Sequence, residues 1–575
     1  MIIPSIFPLI DGEFNPRTTY ADPPIHRLMT RHLLAAVLVA ASTAGVWAEL
    51  SAQAVAPATA KAPNATPIPP DSFPSYVRRT PATDPTILRI WDEGMTRSQA
   101  SQLAQVLLDS IGARLTGSPN MDRAQDWLVA TYTKWGVPVR KERYGTWNSW
   151  KRGAAFAQIV APRSKPLDAT MLSWSGNTAG QWVEGGVMVL QPYNSLAEFE
   201  AWLPSVKGKV VLASAPRYSC RMPDQIALFG TPDGIRQMNE AQSNLAATFG
   251  GMTQRVDSFY TKVKQAGAVA VFENNWSNYP GIERVFGSPR NSALPTFNVG
   301  CEDYGMLFRL ATQNQGPRVR LMAESEFFGE RPVFNVIGQI KGSIKPSEFV
   351  ILSAHFDSWE GHSGATDNAT GSITMLEAMR ILKTVYPKPA RTILVGHWSG
   401  EEQGINGSGS FAEDHPEIAA GLQFTFNQDN GTGRIVSLGP TIFPENGPRL
   451  AKYLSAVPSE ITQWIRLQPP AAYSSGSDHV SWLCRGAPAL NLNALSWDYS
   501  YTTWHTNKDS FDKIVPEDLR NNATLAAMLT YMASEDPERS SRVLMKPMPM
   551  LPGTETQMTV PNCAVSVRRS QDSRR

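Results

Sequence analysis

The chain has 575 residues, 53 Lys and Arg against 51 Asp and Glu, a net charge of +2 and 42% hydrophobic residues. At about 150 residues per domain, that length holds two or three domains with tails. The composition excludes a mainly disordered chain, and the balanced charge argues against nucleic-acid binding through bulk charge. No apolar run reaches the ~18 residues of a membrane span.

The first elements read as an address. His26-Arg27 and Arg31-His32 precede the apolar run Leu33–Ala41, and small residues lead to Ala52-Gln53-Ala54. This order matches the basic region, short apolar region and small-residue cleavage site of a signal peptide, expected over residues 1–54. Met29 is an alternative start. Export to a periplasm or the outside follows. Residues 55–85 are rich in Pro, Ala, Ser and Thr and are expected to form a linker.

From Ser98 to Trp135 the apolar spacing is helical, and Gly117-Ser118-Pro119-Asn120 separates two helices. Residues 86–174 are therefore assigned to the N-terminal part of a catalytic domain. Strands are expected at Val187–Leu190, Lys209–Leu212, Ala268–Phe272, Leu294–Val299 and Val319–Met322. This β-rich stretch has no histidine and reads as an insert over 175–325.

A strand–helix alternation follows over 326–540. Asn335–Ile340, Phe349–Ser353, Thr392–His397, Leu422–Phe426 and Ala487–Leu492 read as strands. Helices are expected at Ala369–Val385, from Gly409–Asp414 onward, and at Leu519–Ser534. Such alternation predicts an α/β domain with a mostly parallel twisted sheet flanked by helices, and ligands gathered at the carboxyl ends of its strands. Residues 541–575 form a tail.

Four cysteines, Cys220, Cys301, Cys484 and Cys563, remain for an exported chain. Three pairings are open, and one disulfide with two further cysteines, free or paired, is the plain expectation. Without a C-x-x-C, a thiolate metal site is not expected.

Six of the eight histidines fall between His355 and His505. His355 follows a buried strand, so it points into the crevice. Asp357, two residues on, is placed to hold the imidazole by a hydrogen bond. Alone, that pair fits a core histidine equally well. Asp367, in Gly364-Ala365-Thr366-Asp367-Asn368, stands where a helix cap is common, but its small neighbours suit a carboxylate that bridges two ions. Glu401-Glu402 follows another strand end. A cation relieves the repulsion between them, with one Glu ligating and the other free as a base. Asp429 follows a third strand, and His505 lies in a polar loop before the last helix. His355, Asp367, Glu402, Asp429 and His505 suffice for two divalent ions about 3.5–4 Å apart if one carboxylate bridges. Imidazole and carboxylate without thiolate suit zinc, with cobalt or manganese as alternatives.

At these residues the chain resembles the di-zinc exopeptidases of the bacterial aminopeptidase, carboxypeptidase Q and glutamate carboxypeptidase type. The matching motifs are His355-x-Asp357, Gly364-x-x-Asp367-Asn368, Glu401-Glu402-x-Gly404, Asp429 and His505-Thr506, and Asp357-Ser358-Trp359 is most similar to the carboxypeptidase Q branch. The resemblance implies that Asp367 bridges, that His355 and Asp429 bind one zinc, and that Glu402 and His505 bind the other. It also implies a general acid/base at Glu401, a cis peptide at Asp367-Asn368, and a protease-associated domain at 175–325. A donor for the oxyanion is sought at Tyr473 or in Ser474–Ser477.

The expected function is a secreted or periplasmic zinc exopeptidase. It would act at a free N terminus or on dipeptides through a metal-activated water, and a homodimer is compatible with this. Two other classes stay open. One is a metal-free receptor on the same fold. The other is a serine hydrolase at Gly361-His362-Ser363-Gly364-Ala365, a near match to G-x-S-x-G without its sharp strand-to-helix turn.

Overall fold

Apolar runs alternate with helical spacing along most of the chain, and the architecture follows from that. The computed structural model describes residues 81–570 apart from 257, 287–293, 471–475, 549, 551–556 and 558. The signal-peptide reading and most of the linker lie outside the described residues, as do Tyr473, Ser474 and Ser475. Among the described residues, no helix is long and apolar enough to cross a membrane.

Strands β1 (Val139–Ala161), β2 (Lys165–Pro166), β3 (Ala169–Met171), β4 (Val183–Val189), β5 (Lys209–Leu212) and β6 (Ala270–Glu273) precede β7 (Thr296–Val299), β8 (Arg318–Ile340) and β9 (Lys345–His355). They are followed by β10 (Arg391–Trp398), β11 (Leu422–Asn427) and β12 (Ala489–Asn491). The sheet runs in the order β12-β11-β9-β10-β8-β4-β5-β6-β7-β3, with β1 paired to β8 and β2 to β1. The segment β12-β11-β9-β10 is parallel, and β8 joins it antiparallel.

Parallel strands buried on both faces need apolar residues at every position. Strands β9 and β10 show why. Val350 and Leu352 of β9, with Ile393 and Val395 of β10, enter one core, while Ile351 and Leu394 between them enter the opposite core. Two-residue alternation sends successive side chains to opposite faces. The first core is closed by helices α1 (Ala100–Gln105), α2 (Pro119–Lys134) and two later ones named below. Helix α2 starts where the sequence places it: Ser118 Oγ accepts from the Met121 amide at 3.1 Å.

Helices α3 (Pro232–Phe249) and α4 (Cys301–Thr312) were not legible as elements. Helix α5 (Thr370–Val385) matches its expected span, and α7 (Pro516–Glu535) extends the closing helix slightly at both ends. Ile373, Leu376, Leu525 and Leu529 of these two are fully buried in the first core. Each such side chain contributes about 1.5–3 kcal/mol relative to exposure. Between them, α6 (Asn406–Asp414) ends at Asp414 rather than beginning near Gly409 as expected.

The expected strands at 319–322 and 335–340 are two ends of one strand. Residues 318–321 of β8 pair with β4, and residues 336–340 pair with β10. The 175–325 segment therefore hangs on a strand that continues into the parallel part of the sheet, beside β10. Strand β1, absent from the sequence reading, runs antiparallel to β8 along its whole length. All four cysteines are paired, as Cys220–Cys301 and Cys484–Cys563, so the two further cysteines left free or paired by the sequence form a second bridge.

Candidate metal centre

His355 is the last residue of β9, so its side chain leaves the sheet at the carboxyl edge. Asp429 stands two residues past the end of β11. Glu401 and Glu402 follow β10 after the turn Ser399-Gly400. Asp367 sits in the turn Ala365–Ala369 that leads into α5, and its bond to Asn368 is cis, as the resemblance implies. Gly371 allows the close approach here: a Cβ on it would lie 2.3 Å from Asn368 Oδ1 and 2.4 Å from the Gln428 carbonyl.

These five residues meet. His355 Nε2 lies 3.2 Å from Asp367 Oδ1 and 3.1 Å from Asp429 Oδ1. His505 Nε2 lies 3.0 Å from Asp367 Oδ2 and 2.9 Å from Glu402 Oε2. Asp367 thus turns one oxygen to each imidazole. Two donor groups result, His355–Asp367–Asp429 and Asp367–Glu402–His505, each with its atoms within 4.8 Å of one another.

The electrostatics call for added positive charge. Burial opposes charge on His355, yet Asp429 and Glu401 outweigh it and raise the imidazole well above its ordinary range. Burial also opposes His505, yet Glu402 and Asp367 raise it to about 10. Asp367 is held well below the usual carboxylate range despite its burial, because His505 and His355 face it. Glu402 is pushed up to about 7 by burial. Glu402 Oε1 is buried without a hydrogen-bond donor among the described residues. Buried charge of this kind is ordinarily paired or bound to metal, and the donor set fits divalent cations.

The expected role of Asp357 needs correction. His355 Nδ1 bonds the Asp357 backbone carbonyl at 3.0 Å, while the nearer carboxylate oxygen is 3.7 Å away. The carboxylate instead accepts from the amides of Glu401 at 3.3 Å and Glu402 at 3.2 Å, and from Thr116 Oγ1 at 3.1 Å. It holds the turn that presents both glutamates. Burial raises the Glu401 carboxyl well above the usual range, and His355, Asp429 and Asp478 act on its charge.

Sequence reasoning missed several supports. Asp509 receives the amides of Thr366 at 2.8 Å and Asp367 at 3.1 Å. It lies in the polar loop of His505, so its neighbourhood was the available signal. Arg114 is fully buried and donates to the carbonyls of Phe356, Ser363 and Gly364, which ties down the loop after β9. Nothing in its local sequence announces this. Asp478 is buried beside the site and pushed up to about 7 by burial. Ser477, considered as an oxyanion donor, accepts from Asn427 Nδ2 at 3.1 Å. Ser363 lies eight residues beyond β9 on a loop, with His362 Nδ1 at 3.3 Å from its Oγ, so no strand-to-helix elbow presents it.

A narrow cleft at the clustered residues is lined by Val285, Trp359, His362 and Thr506 among others. Trp504 stacks on His505 with ring centres 4.2 Å apart, while Trp497 is 55% exposed.

The model of peptidase family M28 matches residues 335–530, the stretch that carries all five clustered residues. That segment is an M28 peptidase domain. This bears out the resemblance to the exopeptidase family and the α/β fold. Carboxypeptidase Q from Bos taurus is 24% identical over 458 residues, covering 78% of this chain and 88% of that protein. Carboxypeptidase Q from Xenopus laevis is 23% identical, covering 80% and 90%. The crystal structure of a peptidase M28 precursor from Shewanella amazonensis superposes with a TM-score of 0.58 at 23% identity, covering 80% of this chain and 98% of that one. The M28 match covers the strand ends that carry the donor cluster, and the superposition shows the shared fold.

Proposed function

We propose that the protein is an exported co-catalytic di-zinc exopeptidase that cleaves peptide bonds at a free N terminus or in dipeptides. The observation that carries this is the division of Asp367 between His355 at 3.2 Å and His505 at 3.0 Å, which makes two nitrogen-and-oxygen donor groups with a common carboxylate. His355 and Asp429 would hold one ion, Glu402 and His505 the other, and Asp367 both. Two bound cations would supply Lewis acidity that acidifies water and polarises the scissile carbonyl.

The chain's own groups then do the proton work. Glu401 sits among His355, Asp429 and Glu402 without being one of the paired donors, and its raised affinity for a proton suits it to accept one from water. It returns that proton to the departing amine. Asp357 keeps Glu401 and Glu402 in place through their amides. Trp359 and Val285 line the narrow cleft at the ligands and would exclude water from a bound substrate.

Residues 175–325 are proposed as a protease-associated insert. The test is hydrolysis of unblocked dipeptides and aminoacyl anilides beside N-blocked controls, before and after chelation and zinc return. Cleavage of unblocked substrates only, lost on chelation and restored by zinc, is expected. Chelator-resistant cleavage would overturn the proposal.

A further inference from the structure

The two histidine ligands are braced differently. His355 has the Asp357 carbonyl on its second nitrogen at 3.0 Å. His505 Nδ1 is buried with no hydrogen-bond partner among the described residues. A ligating imidazole is ordinarily oriented by what its other nitrogen bonds, so something else must fix His505. Its backbone also has φ +54°, in the left-handed region, which a residue with a Cβ keeps only where its surroundings hold it.

Those surroundings come from the 175–325 segment. The Val285 amide donates to the His505 carbonyl at 2.7 Å, and the Asn507 amide to the Glu283 carbonyl at 2.9 Å. The Glu283 amide donates to Asn507 Oδ1 at 3.0 Å. Phe286 meets the His505 ring edge-on, with centres 4.9 Å apart. The Arg284 guanidinium covers Trp504 at 4.8 Å, and Trp504 stacks on His505.

The segment 283–286 is itself anchored inside the insert. Glu283 is 1% exposed. Its carboxyl group accepts from Asn298 Nδ2 at 2.9 Å and from the Cys301 amide at 3.0 Å. Cys301 opens α4 and is bonded to Cys220. A continuous set of contacts therefore runs from the disulfide through Glu283 and Asn507 to His505.

We infer that Glu283 and Asn507 are positioning residues for His505, so that the insert sets metal affinity at the Glu402–His505 subsite and not at the His355–Asp429 subsite. This deepens the proposed function and rests on its metal reading. The test is zinc titration of the metal-free, full-length protein against a competing chromophoric chelator. The variants are Asn507→Leu, which removes the acceptor for the Glu283 amide, and Glu283→Ala, which removes the anchor. Asn507→Asp and Glu283→Gln keep an acceptor at each place. Circular dichroism and the mass of the Cys220–Cys301 peptide verify the fold.

The wild type should bind two zinc ions. Each disrupting variant should weaken one site by about 10–100-fold and leave the other unchanged, as loss of outer-shell support does. The conservative variants should restore the weakened site. The two positions are far apart in sequence, so either variant alone is a sufficient test. Unchanged binding, or equal weakening of both sites, overturns the inference while the metal reading stands. A wild type that binds fewer than two zinc ions overturns the metal reading and the inference with it.

Discussion

The Asp357 carboxylate accepts the Glu402 amide at 3.2 Å, although Asp357 is only two residues from His355. The acid therefore serves the glutamate turn, and only its backbone carbonyl serves the histidine. Asp357→Ala should lower kcat by about 10–100-fold while zinc bound through His355 and Asp429 is retained, since the carbonyl bond survives the change. Paired measurements of kcat and zinc content check this. Loss of zinc in proportion to activity would show that the carboxylate serves the ligand after all.

Glu401→Gln keeps the size of the side chain and removes its proton affinity. Turnover should fall by about 10²–10⁴-fold, the usual contribution of a general acid/base. Zinc content should not change. A variant with near-normal kcat would remove Glu401 from the mechanism.

Glu283 gives a pH-dependence. Burial pushes its carboxyl from 4.5 up to about 8, with Asp168 and Glu302 adding to the rise. Between those values the folded chain keeps a proton that the unfolded chain has released. Stability contributed by this group is then full below the unfolded value and is lost as pH rises through the folded one. Glu283→Gln should flatten the fall in Tm between about pH 5 and pH 8. Parallel Tm curves for the two proteins would count against a buried protonated Glu283.

The tail is fastened to the peptidase domain. Cys563 is bonded to Cys484, the Arg568 carbonyl accepts from the Thr146 amide at 2.8 Å, and the Val567 amide donates to Asn406 Oδ1 at 2.8 Å. Cys563→Ser should cost about 2–4 kcal/mol in denaturant unfolding and leave KM unchanged, because none of these groups belongs to the donor cluster. An unaltered unfolding midpoint would mean the tail adds nothing to stability.

Three of the five clustered residues, His355, Glu402 and Asp429, were legible because each follows an apolar run that reads as a buried strand, whereas Asp367 and His505 stand in loops. His355 after Phe349–Ser353 and Asp429 after Leu422–Phe426 are the clearest cases. What the Asp357 carboxylate binds was not legible, because residue spacing does not distinguish a backbone acceptor from a side-chain one. Strand β1 and the continuity of β8 escaped for another reason. Each strand threads two cores, so its burial changes along its length and no single alternation persists. Helix α3 is exposed over nearly all of its surface and has no core-facing stripe to betray it. The link between Glu283 and Asn507 joins residues 224 apart, a separation at which local pattern carries no information.

The central claim is that Asp367 is shared between two cations. Anomalous diffraction at the zinc edge, on crystals of the zinc-loaded protein, tests it most directly. The account predicts two peaks, one between His355 and Asp429 and one between Glu402 and His505, with an Asp367 oxygen on each. A single peak, or peaks away from Asp367, would contradict it.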